Sequence, residues 1–441
     1  MESTRPRVGL VALSLPRERV DRASFWLKRA KEILPKAGLE LLAHEEVVLS
    51  VEGSLEAVSA LVERGAEGII YLIGTWIYAP MVIEPIRKFK LPALLWSPPD
   101  PAAFSLVGTA VAYGSLRELG FSSEICYGTP EDVLDKVKVF ANACKVLNRL
   151  RRCRLGLFGG YTMGMYTALS DPLQVKKVFG LEMEHIDQHV LIAEMARVKK
   201  EEVEKIERLL KEKVKDVLAP REAVERAIRL YLALKRVISE RRLDAVGVKC
   251  QPELIDEVGS ACLAMAMLND EGIIASCECD INGAITMKIL HLLSGGPVIF
   301  ADINSLDLSN KELRLINCGS FPMKVAGGEG VELGYQYKYM GKMRGVTTIL
   351  CAKSGEVTLA RLGRVGGEYV MVIARGRAVE KPKGVFKEDR ELWPHMFVIL
   401  DGDPKKLIEN LLSNHIHVTY GDYVEELVMI CKMLGIKTIL I

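Results

Sequence analysis

Glu278 closes the apolar run Ile273-Ile274-Ala275-Ser276-Cys277, and Asp302 closes Val298-Ile299-Phe300-Ala301, with one helical pattern between them. If both runs are strands of one parallel sheet they are neighbours, and both carboxylates emerge at the carboxyl edge where open α/β sheets place their ligands. Carboxylates held close together repel, and a divalent cation is the usual remedy. A histidine could complete such a site. His415 and His417 fall in the late segment Asn414-His415-Ile416-His417-Val418-Thr419-Tyr420-Gly421, and they are expected to point to opposite sides of it when it is extended, so that one of them joins. Each group also has a plain structural use: strand-end carboxylates cap helices, and histidines are often satisfied by a backbone carbonyl. Asp280 is expected to cap the helix from Ile281 onward, with Asn282 as its competitor. Met163 and Trp76 would ordinarily fill core.

Other chemistries lose support. The chain has no G-x-x-x-x-G-K-[ST] phosphate loop, no G-x-S-x-G elbow and no H-E-x-x-H zinc pair. Gly159-Gly160-Tyr161-Thr162-Met163-Gly164 resembles a dinucleotide loop only loosely. Cys277 and Cys279 flank Glu278 without the second pair that zinc-finger spacing requires. The ten cysteines are scattered, several within apolar runs, and are expected to be reduced core thiols.

The elements that would position these residues follow from periodicity. Short apolar runs at Val8–Leu13, Leu39–His44, Gly68–Ile73 and Pro92–Trp96 alternate with helical patterns at Ala23–Leu34 and Leu55–Val62, which predicts a parallel sheet buried on both faces. A helix capped by Thr129, with Pro130 at its first position, is expected to run to about Leu150. A second unit opens with the strand and glycine turn Arg154–Gly160. It continues through charged helices at Lys199–Val217 and Arg221–Glu240, strands at Ala245–Cys250, Ile273–Glu278 and Pro297–Ile303, and helices at Ile255–Leu268 and Asn282–Leu293. After Lys311 strand signals dominate, at Leu313–Asn317, Thr347–Ala352, Glu356–Leu362 and Tyr369–Arg375, the pattern of an antiparallel sheet or small barrel. A βαβ-like coda over Met396–Leu400, Pro404–Leu412, His417–Tyr420, Val424–Leu434 and Thr438–Ile441 ends the chain. The expected class is α/β: two Rossmann-like or flavodoxin-like three-layer α/β/α domains, 1–150 and 151–292, the second carrying Glu278. A mostly β domain over 293–441 would carry Asp302 and His415.

The 441 residues can bury several cores. Lys plus Arg number 59 against 57 for Asp plus Glu, so no one-signed field is available to hold nucleic acid or anionic lipid. The longest uncharged stretches, Gly68–Ile83 and Pro101–Leu116, contain glycine or proline and fall short of the ~18–20 apolar residues of a spanning helix. Residues 1–13 lack the features of a secretory leader, so a cytoplasmic location is expected. Charged residues at 26%, grouped in blocks such as Lys199-Lys200-Glu201-Glu202, would suit a thermophilic protein.

Four segments together resemble the L-fucose isomerase family, a branch of the fucose/arabinose aldose–ketose isomerases. They are Gly159–Met165; the block from Glu278 through Asn282-Gly283 to Phe300-Ala301-Asp302-Ile303; Leu315-Ile316-Asn317-Cys318-Gly319-Ser320; and Asn414-His415 followed by Thr419-Tyr420-Gly421 and the helix after it. The resemblance implies a three-domain subunit and a Mn²⁺ site, with Mg²⁺ or Co²⁺ as substitutes, held by Glu278, Asp302 and His415. It implies sugar contacts from Gln251, Met163, Trp76 and Asn414, and a tyrosine among Tyr335, Tyr337 and Tyr339. It also implies a homo-oligomer, a hexamer in the family, whose neighbouring subunit covers the pocket.

The chemistry implied is carbonyl transfer between C1 and C2 of an open-chain sugar through an enediolate. A divalent ion acidifies the proton, Glu278 and Asp302 act as acid/base groups as well as ligands, and His415 is a neutral ligand. The substrate would be of the L-fucose/L-fuculose or D-arabinose/D-ribulose type. Two other readings compete: a sugar-binding or regulatory protein without catalysis, and an epimerase or isomerase of a sulfonated or otherwise modified sugar.

Overall fold

The computed structural model describes residues 5–335, 344–381 and 393–441. The chain forms two compact units, one of the residues through Arg149 with Glu425–Gly435, the other of Leu150–Val424 with Ile436–Ile441. The segment 425–435, read from sequence as part of the coda, thus clusters with the first unit.

In the first unit, strands β1 (Arg7–Leu13), β2 (Glu40–Ala43), β3 (Gly68–Ile73), β4 (Ala93–Ser97) and β5 (Glu124–Tyr127) form a parallel sheet in the order β2-β1-β3-β4-β5. That is the flavodoxin-like strand order. Every residue of β3 and β4 is buried, as crossover helices on both faces require. The helix Val51–Glu63 starts where Ser50 Oγ accepts from Gly53 N at 3.0 Å. The helix expected from Pro130 runs Leu134–Leu150, entered through a turn that Thr129 caps as expected: its Oγ1 accepts from Asp132 N at 3.3 Å, and the Asp132 carboxylate accepts from Thr129 N at 2.9 Å.

The second unit holds three sheets. Strands β6 (Arg154–Phe158), β7 (Glu182–Ile186), β9 (Ala245–Val248) and β10 (Ile274–Cys277) form a parallel sheet in the order β10-β9-β6-β7. Its switch point lies between β6 and β9, where doubly wound folds open a ligand crevice beyond the strand ends. Strands β8 (Asp216–Val217), β13 (Glu332–Tyr335) and β14 (Val346–Ile349) form a small separate sheet. The rest is a closed barrel of β11 (Ile299–Asp307), β12 (Glu312–Ile316), β15 (Gly355–Val365), β16 (Glu368–Val379), β17 (His395–Leu400) and β18 (His415–Tyr420). It runs β15-β18-β11-β12-β17-β16 and closes by pairing β16 with β15 along Gly355–Val365; β19 (Lys437–Leu440) adds to β16.

Three expectations fail here. The strand carrying Asp302 belongs to the barrel, antiparallel to β12 and β18, and not to the parallel sheet beside β10. An apolar run buried on both faces reads alike in either setting. The helix expected over Ile255–Leu268 is two, Glu253–Glu257 and Cys262–Asp270, interrupted at Gly259, whose φ is +96°. The coda is no βαβ unit: β17 and β18 are barrel strands. The helix Ile281–Ser294 packs against β9 and β10 on one side and β15 and β18 on another, joining sheet to barrel. Among the described residues no helix is long and apolar enough to cross a membrane.

Candidate functional site

Glu278 leaves the end of β10 with φ +56°, and Cys279 follows with the same angle. Two successive left-handed residues that are not glycine store strain of order 1–3 kcal/mol each, the kind found where a side chain must be aimed. The chain then enters the helix Ile281–Ser294 through Asp280, whose Oδ1 accepts from Gly283 N at 2.8 Å. The expected cap is therefore formed. The same carboxylate also reaches the barrel: it accepts from Arg361 Nη1 and lies 2.8 Å from His415 Nδ1.

Asp302 on β11 and His415 on β18 are direct partners across the antiparallel ladder, which holds their side chains side by side. His415 Nε2 stands 2.9 Å from Glu278 Oε2 and 3.6 Å from Asp302 Oδ1. Asn414 Nδ2 donates to Asp302 Oδ1 at 2.9 Å and faces Met165 Sδ at 3.8 Å. So Glu278, Asp302, His415 and Asn414 come together, with Asp302 on a strand of the C-terminal β domain and not on a parallel neighbour of β10.

His417 does not point away from His415. Side chains two residues apart on a strand share a face, and both rings pack on Phe300, with centroids 4.5 and 5.0 Å from it. Only His415 touches the carboxylates. His417 is fully buried, and among the described residues no side chain hydrogen-bonds either ring nitrogen. Burial, helped by the Arg361 charge, pushes it down to about 3, so it is neutral.

The electrostatics follow from crowding. Burial alone would raise the Asp280 carboxyl, but the Arg361 guanidinium and His415 outweigh it and hold Asp280 well below the usual range. Burial would lower His415, and hydrogen bonds to Asp280 and Glu278 overcome it, carrying the imidazole up to about 9. Asp302 goes up to about 6, first through burial and then through the Glu278 and Asp280 charges, against the pull of His415 and Asn414. Its side chain still keeps 34% exposure, so solvent reaches a carboxylate that protein atoms crowd. Acids gather here faster than bases, and the His415 proton partly compensates.

Gln251 and Met163 lie on neighbouring loops beyond β9 and β6. Thr162 Oγ1 donates to Gln251 O at 2.6 Å, tying the two loops together. Gln251 is buried and its Oε1 has no partner among the described residues; Met163 is 40% exposed with φ +50°. Neither hydrogen-bonds to Glu278, Asp302 or His415. Trp76 belongs to the first unit, where it lines a cleft of about 600 Å³ with Leu15, Arg17, Leu49, Tyr78 and Met81. Tyr335 ends β13; Tyr337 and Tyr339 lie outside the described residues. Eight of the ten cysteines are buried.

Sequence reasoning missed Asp280 as more than a cap, and missed Arg361 altogether. The signal for Arg361 was present: one arginine inside the apolar run Val357-Thr358-Leu359-Ala360-Arg361-Leu362, where a charge is kept only if it is paired.

Whether the residues suit a divalent ion can be judged from the donors. Among the described residues no three His, Cys, Asp or Glu groups stand ready-made around one point, since His415 is closed onto Glu278 by a hydrogen bond. Two ligands at right angles on one ion, with bonds of about 2.1 Å, stand about 3.0 Å apart. The Nε2 separations of 2.9 and 3.6 Å fall near that spacing, and an ion would take the place of the His415 proton. Two carboxylates and one imidazole form an oxygen-rich set that suits Mn²⁺ or Mg²⁺.

Residues 315–441 match the family described as L-fucose isomerase, C-terminal domain. The chain is 23% identical over 433 residues to a sulfoquinovose isomerase of Priestia aryabhattai, covering 95% of each chain. It is 23% identical over 449 residues to one of Clostridium sp. (strain MSTE9), covering 98% of each. A third, from Alkalicoccus urumqiensis, is 24% identical over 344 residues, covering 75% of this chain and 76% of its own. Among solved structures, a glucose-galactose binding protein from Geobacillus stearothermophilus is 11% identical and covers 78% of this chain and 97% of its own, with a TM-score of 0.17. That overlap bears on neither fold nor function. The site and the sequence matches agree on a class, the aldose–ketose isomerases. Over residues 315–441 and, at 23% identity, over most of its length, the chain is similar to a fucose isomerase-like family within it.

Proposed function

We propose that the protein is a metal-dependent isomerase that moves a sugar carbonyl between C1 and C2, with Glu278, Asp302 and His415 as the metal ligands and Mn²⁺ as the preferred ion. The observation that carries this is the convergence of the two carboxylates on His415 Nε2. A bound divalent ion would polarise the adjacent oxygens of the open-chain sugar and make the C2 proton acidic.

The chain's own residues do the rest. One of Glu278 and Asp302 takes the proton from C2 and returns it at C1, while the O2 hydroxyl proton passes to O1, so that the carbonyl moves with no net gain or loss of protons. Asn414, already donating to Asp302, fixes which oxygen of that carboxylate is free. The unpartnered Oε1 of buried Gln251 would accept a sugar hydroxyl. Met163 supplies apolar surface for a C–H face in the same reading.

The relatives that span most of this chain are named for sulfoquinovose, a sulfonated hexose, which favours such a sugar over a deoxyhexose or pentose. Sulfoquinovose, L-fucose and D-arabinose are therefore incubated with the Mn²⁺-supplemented protein in D₂O, and deuterium entry at C1 and C2 is read by proton resonance. Exchange with one of them is expected. Exchange with none, over a wide enzyme concentration range, overturns the proposal and leaves the binding-protein reading. A homo-oligomer belongs to the same proposal, and a fully active monomer in sedimentation removes it.

A further inference from the structure

Asp280 does three things with two oxygens. Oδ1 accepts the Gly283 amide at 2.8 Å and has Arg361 Nη2 at 3.3 Å, while Oδ2 accepts from Arg361 Nη1 and faces His415 Nδ1 at 2.8 Å. Arg361 offers donors only, and so does a backbone amide. A carboxylate surrounded in this way acts as an acceptor throughout, so the hydrogen between Oδ2 and His415 belongs to Nδ1. Nε2, on the opposite edge of the ring, then presents its lone pair toward Glu278 and Asp302 whenever the ring carries a single proton. The anchoring is unusually firm. The Asp280 and Arg361 side chains are 0% and 3% exposed, and Arg361 Nη2 is tied to Thr167 O at 3.1 Å. The group behind His415 thus belongs to a helix cap and a buried ion pair, neither of which can rotate to suit the ring.

We propose that Asp280, held by Arg361, is a positioning residue that fixes His415 with its proton on Nδ1, so that Nε2 is the nitrogen delivered to the carboxylate pair. Its consequence for metal affinity rests on the proposed metal site; its statement about the imidazole does not. An amide cannot replace this carboxylate. Asparagine has one acceptor and one donor group where the site asks for acceptors toward Gly283, Arg361 and His415. With its oxygen kept by the cap, its NH₂ turns to Nδ1, and the ring proton is driven to Nε2.

The test uses the full chain, wild type, Asp280→Asn and the double variant Asp280→Asn/Arg361→Met. The double variant leaves no unpaired buried charge and so guards against simple misfolding. Nitrogen-15 histidine spectra of the metal-free proteins at alkaline pH, with His415 assigned by the signal lost in His415→Gln, report which nitrogen keeps the proton. Nδ1 is expected in wild type and Nε2 in both variants. Mn²⁺ titrations followed by electron paramagnetic resonance should show affinity about 10- to 100-fold weaker in the variants. An Nε2-protonated His415 in wild type overturns the proposal, as does Mn²⁺ binding within threefold of wild type by a folded double variant. A wild-type protein that binds no Mn²⁺ yet keeps the proton on Nδ1 overturns the metal site and leaves the positioning role standing.

Discussion

The Asp280–Arg361 pair allows the contribution of one buried interaction to be worked out in advance. Replacing Arg361 by Met removes the cation but not the anion it neutralises, and stripping a buried charge of its partner costs about 3–5 kcal/mol. The low end applies here, because His415 Nδ1 still faces Asp280 at 2.8 Å after the arginine is gone. Asp280→Asn strips the Arg361 charge of its counter-ion in turn, leaving it neutral acceptors such as Thr167 O, and costs about 3 kcal/mol by the same reasoning. Asparagine caps a helix about as well as aspartate, so the cap itself contributes little to that loss. In a unit of this size about 1 kcal/mol moves the unfolding midpoint by roughly 2 °C, so each single variant should fall by roughly 6 °C. The double variant removes both charges and should lie within roughly 2–4 °C of wild type. Scanning calorimetry in the presence of a chelator, all proteins at one scan rate, reads these shifts without a contribution from bound ions. A double variant that loses as much as the two singles together would show that the pair is not coupled and that its burial has been misjudged.

Other expectations are shorter. Glu278→Gln should leave the unfolding midpoint within a few degrees of wild type and abolish turnover; more than a tenth of wild-type activity on the best sugar contradicts its role. Chelation should remove activity and Mn²⁺ restore it, with the midpoint rising by roughly 5 °C at about a hundredfold excess of ion over its dissociation constant; activity that survives exhaustive chelation refutes the ligand set. Gly283→Ala should destabilise the protein, although alanine favours a helix by about 1 kcal/mol. Its Cβ would stand 2.8 Å from His417 Nε2 and 2.9 Å from Asp280 Cγ, two buried groups without room to yield, and overpacking of that kind costs about 1–3 kcal/mol. A rise in its calorimetric midpoint would refute that reasoning.

How much could be read from the sequence differs from residue to residue. Strands β1, β3 and β4 were legible because they are buried on both faces and written as apolar runs, a pattern that depends on local composition alone. Glu278 was legible for the same reason, as the charge that ends such a run. Asp302 was found by type and assigned to the C-terminal β domain, but its strand was also read as a parallel neighbour of β10, since a run of apolar residues does not say which strand it pairs with; that is decided by β18, more than a hundred positions later. Closure of the barrel is equally non-local, made by the long pairing of β15 with β16 and by β18 between β15 and β11. The facing of His415 and His417 was available in their two-residue spacing and was misjudged. Asp280 looked like a cap and is one; its second task depends on an arginine 81 positions away that no local pattern connects to it.

The site is held by a single helix. Ile281–Ser294 packs on the parallel sheet and on the barrel, so its first turn is the one place where a strand-end carboxylate from the sheet meets a cross-strand pair from the barrel. The bonds that do this span 137 positions from Glu278 to His415, 135 from Asp280 to His415 and 112 from Asp302 to Asn414. Closing loops of that length costs entropy that local contacts do not repay. The acidic cluster therefore cannot exist as a site until sheet, helix and barrel are all in place. An ion bound by Glu278, Asp302 and His415 would bind the native arrangement and not the separated pieces, so its binding energy would be spent on joining barrel to sheet as well as on the sugar.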